Sequence, residues 1–134
     1  MNRSNPEATK AIQGLQLEFP RLFNGGNYEA LVNTHYTEDA TFLPPGVPAV
    51  SGRAALRGFF QEMGKAYSNV RIAPGPVESS GDLAVAQGTY RADLVLPDGR
   101  KVEDRGKFLE GWRKTADGTW KCFADTFTSD LEHA

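Results

Sequence analysis

Glu110 and Asp125 are the residues whose types and surroundings point most directly to chemistry. Each lies in a segment of alternating polar and apolar residues, 101–114 and 119–128, and is expected on the apolar side. A carboxyl group facing an apolar interior loses hydration, so its pKa rises unless a donor compensates. Two such acids close together titrate at different pH values, so one accepts a proton while the other donates a hydrogen bond. This pattern favours proton transfer.

A structural role is equally open for both acids. Asp125 at a strand end could accept hydrogen bonds from backbone amides. Glu110 could pair with a basic neighbour, for which the candidates are Arg91, Arg113 and Lys121. Perturbed acids mark functional sites in many proteins and structural ion pairs in others.

His35 and Tyr36 end the second predicted helix. A charged histidine is favoured at a helix C-terminus, so the simplest interpretation of His35 is a capping residue. The alternative is a general base at the rim of a pocket, with the Tyr36 hydroxyl as a hydrogen-bond donor beside it.

The sequence contains no pattern expected for a bound metal or cofactor. His35 and His133 are the two histidines and Cys122 is the single cysteine, so no metal-ligand spacing exists. A glycine-rich phosphate loop and a nucleophile elbow are also missing. We expect neither metal nor cofactor and interpret Cys122 as a small strand residue.

The predicted secondary structure that must position these side chains changes at Val70. From there on, apolar residues recur at every second position, which predicts strands in place of helices. Four strands are predicted there as an antiparallel meander, over residues 70–78, 83–96, 101–114 and 119–128. Residues 97–99, "PDG", suit a hairpin that pairs Leu96 with Arg100, and 115–118, "TADG", suit one that pairs Lys114 with Thr119. Both acids then share a face with Tyr90, Leu94, Phe108, Trp112, Phe123 and Phe127. The opposite face is predicted to be charged, with Lys101, Glu103, Arg105, Lys107 and Arg113.

Helical spacing dominates the residues before the sheet. A first helix over residues 8–23 begins at a capping box of Ser4 and Glu7 and is expected to kink or end early near Pro20. A second begins at Asn27, and a third, after residues 51–52, carries Ala55, Leu56, Phe59, Phe60 and Met63 on one face. Between them, "EDATFLPPGVPAVSGR" predicts a short strand that breaks at two prolines.

Composition excludes several classes of protein. The 134 residues include 15 basic and 17 acidic side chains, for a formal net charge of -2, so we expect no nucleic-acid partner. No apolar run approaches the ~20 residues that span a bilayer, so we expect no membrane partner and a cytoplasmic location. One domain over residues 1–134 is predicted, with its core at about 8–128.

The segments "HYTEDATFLPPG", "SGRAALRGFF" and "KFLEGWRKTADGTWKCFADTF", in this order, resemble the nuclear transport factor 2-like superfamily. That superfamily includes ketosteroid isomerases, SnoaL-type polyketide cyclases and non-catalytic association domains. The resemblance implies an α+β fold: a cone-shaped barrel of three N-terminal helices on a strongly curved mixed or antiparallel sheet, cystatin-like. It also implies a homodimer through the outer sheet face.

The resemblance carries over to individual positions unevenly. The general-base aspartate of ketosteroid isomerases aligns with Pro44, and two tyrosines of that family align with Phe19 and Phe60. Tyr36 matches a retained tyrosine and Glu110 matches the second acid. Steroid isomerisation by that mechanism is therefore not expected, but an apolar pocket is. Its predicted lining is Phe19, Leu43, Pro44, Phe60, Met63, Tyr90, Phe108, Trp112, Phe123 and Phe127.

Two functions follow as hypotheses. In the first, the protein is a cofactor-independent isomerase, cyclase or dehydratase acting on a small apolar carbonyl-bearing or polycyclic compound. Asp125 or His35 would take the proton, and protonated Glu110 or Tyr36 would bind the developing enolate. In the second, the domain is non-catalytic and binds a small hydrophobic ligand or forms a dimeric association module. A cavity of roughly 300 Å3 or more with unpaired acids would favour the first hypothesis.

Overall fold

The computed structural model describes residues 5–131 and has three helices ahead of most of the sheet. The helices are α1 (Pro6–Asn24), α2 (Tyr28–His35) and α3 (Arg53–Met63). The strands are β1 (Tyr36–Leu43), β2 (Val50–Ser51), β3 (Tyr67–Ser80), β4 (Leu83–Val95), β5 (Lys101–Lys114) and β6 (Trp120–Ser129). They form one sheet in the order β2-β1-β6-β5-β4-β3. Only the β1–β6 pair is parallel, and the predicted α+β fold with a mixed sheet is confirmed.

Helix α1 continues to Asn24, past the proline at which a kink or an early end was expected. Asn5 is the N-cap and accepts a hydrogen bond from the Glu7 backbone N–H, whereas Ser4 of the predicted capping box lies outside the described residues. Pro20 removes one backbone donor, but the next turn places Leu22 and Phe23 in the core. The early end is therefore wrong, because burial of that apolar turn outweighs one missing hydrogen bond.

The proline-rich segment after β1 forms a loop that folds back on the strand. Thr41 pairs with Ser51 and Phe42 with Val50 in antiparallel register. Gly52 then adopts a φ of 88° at the N-cap of α3, a conformation that favours glycine. The break in the chain thus lets α3 begin beside the first part of β1, where the Gly52 N–H donates to the Ala40 carbonyl and the Arg53 guanidinium donates to the Tyr36 carbonyl.

Leu43 lies on the outer surface of the sheet. Side chains alternate along a strand, and Phe42 points inward with 3% of its surface exposed while Leu43 is 48% exposed. The prediction that Leu43 lines the pocket is therefore wrong, and Phe42 occupies that position on the inner face.

The first hairpin has the predicted register, with Leu94 opposite Val102 and Tyr90 opposite Gly106. The second does not. The Thr115 N–H donates to the Thr119 carbonyl, so Thr115 closes the turn and Lys114 pairs one residue further along, with Trp120.

A β-bulge in β6 adds a second shift. Trp112 pairs with Cys122 but the adjacent Gly111 pairs with Ala124, which leaves Phe123 as the extra residue. Its ring lies across Gly111 and 4.7 Å beneath the Arg113 guanidinium carbon. The prediction that Phe123 lines the pocket is wrong, because the shifted register points Cys122 inward and the next residue, Phe123, outward. The bulge then returns Asp125 to the inner face.

The core lies between the helices and the inner face of the sheet. Its largest fully buried side chains include Trp112, Tyr36, Phe60, Ile12 and Leu31. Of the three described helices, none combines the length and the apolar character that would carry it across a bilayer.

Candidate acid–base site

An apolar cavity lies between α1, α3 and the inner face of the sheet. The centre of a water molecule can occupy about 70 Å³ of this cavity. Since one water needs roughly 10–15 Å³ by that measure, the cavity holds several waters or one small ring. It is lined by Gln16, Phe19, Phe23, His35, Phe42, Phe60, Met63, Tyr67, Val70, Ile72, Tyr90, Ala92, Phe108, Glu110, Asp125 and Phe127.

The two acids face each other across neighbouring strands. The corrected register makes Glu110 and Asp125 direct partners on β5 and β6, and both side chains are buried. Among residues 5–131, neither carboxyl forms an ion pair with a lysine or an arginine. Two carboxyl groups thus share one apolar cavity without a permanently charged partner.

Glu110 is surrounded by hydrogen-bond donors. Gln16 Nε2 donates to Glu110 Oε1 at 2.8 Å, and Trp112 Nε1 donates to the same oxygen at 3.3 Å. His35 Nε2 lies 3.3 Å from the other oxygen, Oε2. This set of donors stabilises an ionised carboxylate, because each hydrogen bond replaces part of the hydration lost on burial.

The surroundings of Asp125 instead favour its protonated form. Burial raises its pKa well above the ordinary value, and the nearby Glu110 charge raises it further. The Tyr36 hydroxyl donates to Asp125 Oδ2 at 2.6 Å, and this bond and a backbone bond from Thr126 lower the pKa by less. The two acids therefore have different surroundings: burial raises the pKa of Asp125, whereas Glu110 accepts hydrogen bonds from Gln16 and Trp112.

His35 is not an exposed capping residue. Only 2% of its surface is exposed, and its ring packs against Trp112, Tyr36 and Phe19 with centroids about 5 Å apart. Because His35 ends α2 and Tyr36 begins β1, one peptide unit delivers both side chains to the acid pair. A helix end followed at once by a strand accounts for this placement.

The other predicted pocket residues divide into two groups. Phe19, Phe60, Met63, Tyr90, Phe108 and Phe127 line the cavity. Trp112 is fully buried behind it and reaches the site through its indole N–H. Pro44 is buried but not among the lining residues, since the chain turns outward at Leu43.

Gln16 is the site residue that the sequence analysis missed. It is 1% exposed and contacts Glu110 directly. The signal was present in the sequence: Gln16 lies four residues after Ile12 and three before Phe19, so it interrupts the apolar stripe of α1 with an amide. A polar residue at such a position calls for a buried partner.

Four potential metal ligands also meet here. Atoms of His35, Glu110, Cys122 and Asp125 lie within 4.8 Å of one another, a grouping hidden in the sequence because the residues come from α2, β5 and β6. Their hydrogen bonds are those of a proton-bearing network: the Cys122 thiol donates to the Ala124 carbonyl at 3.3 Å. Burial raises the pKa of that thiol well above its usual value, and the neighbouring Asp125 and Glu110 raise it further.

Comparison with known structures places this architecture among similar proteins. A ketosteroid isomerase-like protein from Erwinia carotovora atroseptica has a TM-score of 0.84 at 20% identity, over 96% of this chain and all of that one. A protein from Streptomyces avermitilis, described as "a putative dehydratase from the NTF2-like family", has a TM-score of 0.75 at 18% identity, over 96% of this chain and 100% of that one. At these identities the likeness establishes a shared fold.

Sequence comparison identifies the family. No curated protein matches the sequence significantly. The family model for the SnoaL-like domain matches residues 17–123. This range includes His35, Tyr36 and Glu110 of the site, whereas Gln16 and Asp125 lie just outside it. The predicted resemblance is confirmed: the chain belongs to the SnoaL-like domain family and has the nuclear transport factor 2-like fold.

Proposed function

We propose that the protein is a cofactor-independent acid–base enzyme that moves a proton on a small, largely apolar carbonyl compound. The observation that carries this proposal is the buried Glu110–Asp125 pair, whose members face each other with unequal surroundings and, among the described residues, without a lysine or arginine partner. Unequal surroundings separate a base from an acid at one pH. Isomerisation, dehydration and cyclisation all begin with the step such a pair can perform.

The surroundings assign the two roles. Glu110, with donors from Gln16 and Trp112, is the base, and Asp125, whose pKa is raised, is the hydrogen-bond donor. This reverses the assignment expected from the sequence, in which Asp125 or His35 was the base and Glu110 or Tyr36 the donor. The roles are reversed because the amide N–H of Gln16 and the indole N–H of Trp112 both reach Glu110.

The proposed step balances as a proton transfer. The Glu110 carboxylate removes a proton from the carbon next to the substrate carbonyl and becomes a carboxylic acid. The electron pair of the broken C–H bond forms a C=C bond, and the carbonyl π electrons move to oxygen, which the O–H of Asp125 stabilises. Return of the proton to a different carbon gives an isomer, and loss of a β-hydroxyl as water gives a dehydrated product.

His35 and Tyr36 support the pair in this proposal. His35 contacts the Glu110 oxygen that is free of the Gln16 and Trp112 bonds, a position from which it can exchange a proton with the base. Tyr36 holds Asp125 through a 2.6 Å hydrogen bond and fixes the direction of its carboxyl group.

Deuterium exchange tests the proposal without knowledge of the natural substrate. Small cyclic ketones in D2O are followed by proton NMR for loss of the signal next to the carbonyl. We expect the wild type to accelerate exchange, Glu110→Gln to lower the rate by about 10²–10⁴-fold, and Asp125→Asn to lower it by about 10²–10³-fold. Asp39→Asn, which changes an exposed acid of β1, is the matched control and leaves the rate unchanged. A wild type no faster than Glu110→Gln across the ketones would refute the proposal.

A dimeric association domain is the second candidate, and the outer face of the sheet favours it. Leu43, Val85 and Leu109 are each about half exposed there, at 48%, 52% and 50%. We call these three residues the outer apolar patch; the strand register places Thr126 between Leu43 and Leu109, and Lys107 and Arg113 border the patch along β5. Exposed apolar side chains grouped on one face and rimmed by polar residues are typical of interaction sites. The cavity of about 70 Å³ is also well below the roughly 300 Å³ expected of a ligand pocket, which favours a domain whose main task is association.

Sedimentation equilibrium tests the association proposal. We expect the wild type to be a homodimer and Leu109→Glu to be a monomer, because the substitution buries an unpaired charge in the interface. Leu17→Glu is the control, since Leu17 is equally exposed, at 55%, but lies on α1. A monomeric wild type at micromolar concentration, or equal dissociation of both variants, would count against the outer apolar patch as the interface.

A further inference from the structure

Gln16 has an acceptor atom that the fold leaves unused. Its side chain is 1% exposed and lines the cavity, and among the described residues no protein donor reaches its Oε1. Leaving a buried amide oxygen without a partner costs about 1–3 kcal/mol, so native proteins rarely do so without cause. Thr9 Oγ1 also lacks a partner, but Thr9 does not line the cavity.

The orientation of the Gln16 amide is fixed by its neighbours. Its Nε2 donates to Glu110 Oε1, which also accepts from the indole N–H of Trp112. Turning the amide over would place its oxygen against that acceptor, in place of a donor. The unused atom is therefore the oxygen, and none of the described residues supplies the donor that would satisfy it.

We propose that Gln16 selects the ligand by accepting a hydrogen bond from a hydroxyl group on it. The preferred ligand is then a neutral, single-ring hydroxy compound, whose apolar ring fits the phenylalanine walls. This inference rests on the proposed function in one respect only, namely that the cavity is the ligand site. In the proposed reaction the same contact would hold the carbonyl against Asp125 and the neighbouring carbon against Glu110.

The chemistry of the cavity supports a hydroxyl over a charged donor. The walls of the cavity include Phe19, Phe23 and Phe108, and an ammonium group bound at Gln16 would lose its hydration there while the nearest carboxylate oxygen, Glu110 Oε1, is already bonded by Gln16 and Trp112. A hydroxyl is small, neutral and able to donate one bond. A site built to hold a hydroxyl group discriminates strongly against analogues that lack it, because its own polar group is then left unpaired.

Phenol and toluene test the inference, since they differ by a hydroxyl in place of a methyl group. Dissociation constants are measured by NMR titration for the wild type, Gln16→Met and Gln13→Met. We expect the preference for phenol over toluene to fall about tenfold in Gln16→Met, as for loss of one hydrogen bond. Gln13→Met should keep the wild-type ratio, because Gln13 lies on the same helix but binds the Gly75 carbonyl. A merely structural role of Gln16 would weaken both ligands alike, and an unchanged ratio would overturn the inference.

A measurement on the wild type guards against a variant that fails to fold. The carboxamide carbon of Gln16 should shift on addition of phenol and stay in place on addition of toluene. Failure of phenol to move this signal would refute the inference. The proposed catalysis is read separately by ketone exchange, so exchange without phenol selectivity overturns only the Gln16 inference, and selectivity without exchange overturns only the catalysis.

Discussion

Asp125 and Asp104 lie on the inner face of the same sheet, and each accepts a hydrogen bond from a tyrosine hydroxyl. Tyr36 donates to Asp125 at 2.6 Å and Tyr90 donates to Asp104 at 2.9 Å. Asp104 is the more deeply buried, with 0% of its surface exposed against 7% for Asp125. Burial and a tyrosine donor are thus common to both acids, and neither feature alone marks a site.

The two acids differ in their second neighbour. The other oxygen of Asp104 accepts a hydrogen bond from the Ser129 hydroxyl, so both of its oxygens meet neutral donors. Asp125 instead faces the carboxyl of Glu110 and lines the cavity. A buried acid satisfied by hydroxyl groups serves structure, whereas one set against a second acid beside open space is suited to chemistry.

The largest effect separating the two acids is expected in the pH dependence of ketone exchange. The rate should fall tenfold per pH unit once Asp125 loses its proton, because only the protonated form donates to the developing enolate. Asp125→Asn cannot lose a proton there and should remove this falling limb as well as lower the rate. Asp104→Asn should retain it. Persistence of the falling limb in Asp125→Asn would assign it to another group.

The next effect is a pH-dependent gain in stability from Asp125→Asn. Because the folded protein raises the pKa of Asp125, the unfolded chain ionises first as pH rises, and the wild type loses stability from about pH 4 up to the folded pKa. Asp125→Asn avoids this loss. Urea unfolding should therefore show its advantage over the wild type growing by about 1.4 kcal/mol per pH unit within that window. A difference constant from pH 4 to 8 would show that burial does not perturb Asp125.

Asp104→Asn is expected to act in the opposite direction. An amide accepts through one oxygen only, so it cannot receive both the Tyr90 and the Ser129 hydroxyl bonds. The free energy of unfolding should fall by about 1–3 kcal/mol at pH 7. Urea unfolding of Asp104→Asn beside Asp125→Asn gives the test: a stabilised Asp104→Asn would remove the contrast between the acids.

The sequence predicts only in part why Asp125 faces a second acid, Glu110, whereas Asp104 does not. Alternation along β5 and β6 places Glu110 and Asp125 inward, and the "PDG" turn fixes the β4–β5 register. The predicted β5–β6 register paired Asp125 with Phe108, two residues away from its actual partner, Glu110. The difference arises because the turn closes at Thr115 and Phe123 forms a bulge. The turn is held by local hydrogen bonds, among them one from the Thr119 N–H to Asp117 Oδ1, whereas the bulge accompanies the packing of Phe123 over Gly111 on the neighbouring strand.

Long-range contacts explain the rest of what the sequence could not provide. The side chains that surround Glu110, on which its proposed role as the base depends, come from α1, α2 and β5, and the amide of Gln16 is 94 residues away in the chain. Periodicity identifies the face on which a residue lies, but not which residue of another element it meets. The outward position of Leu43, in contrast, follows from alternation with Phe42 and was available from the sequence.

The smallest effect concerns the two tyrosines. Tyr36→Phe removes one hydrogen bond, which should cost about 1 kcal/mol. Since that bond lowers the pKa of Asp125, its loss should also move the falling limb of the exchange profile to higher pH. Tyr90→Phe removes the matched bond to Asp104 and should reduce stability by a similar amount without moving the limb. Of the two tyrosines, only Tyr36 donates to Asp125. Equal shifts in both variants would therefore mean that the falling limb does not arise from Asp125 alone.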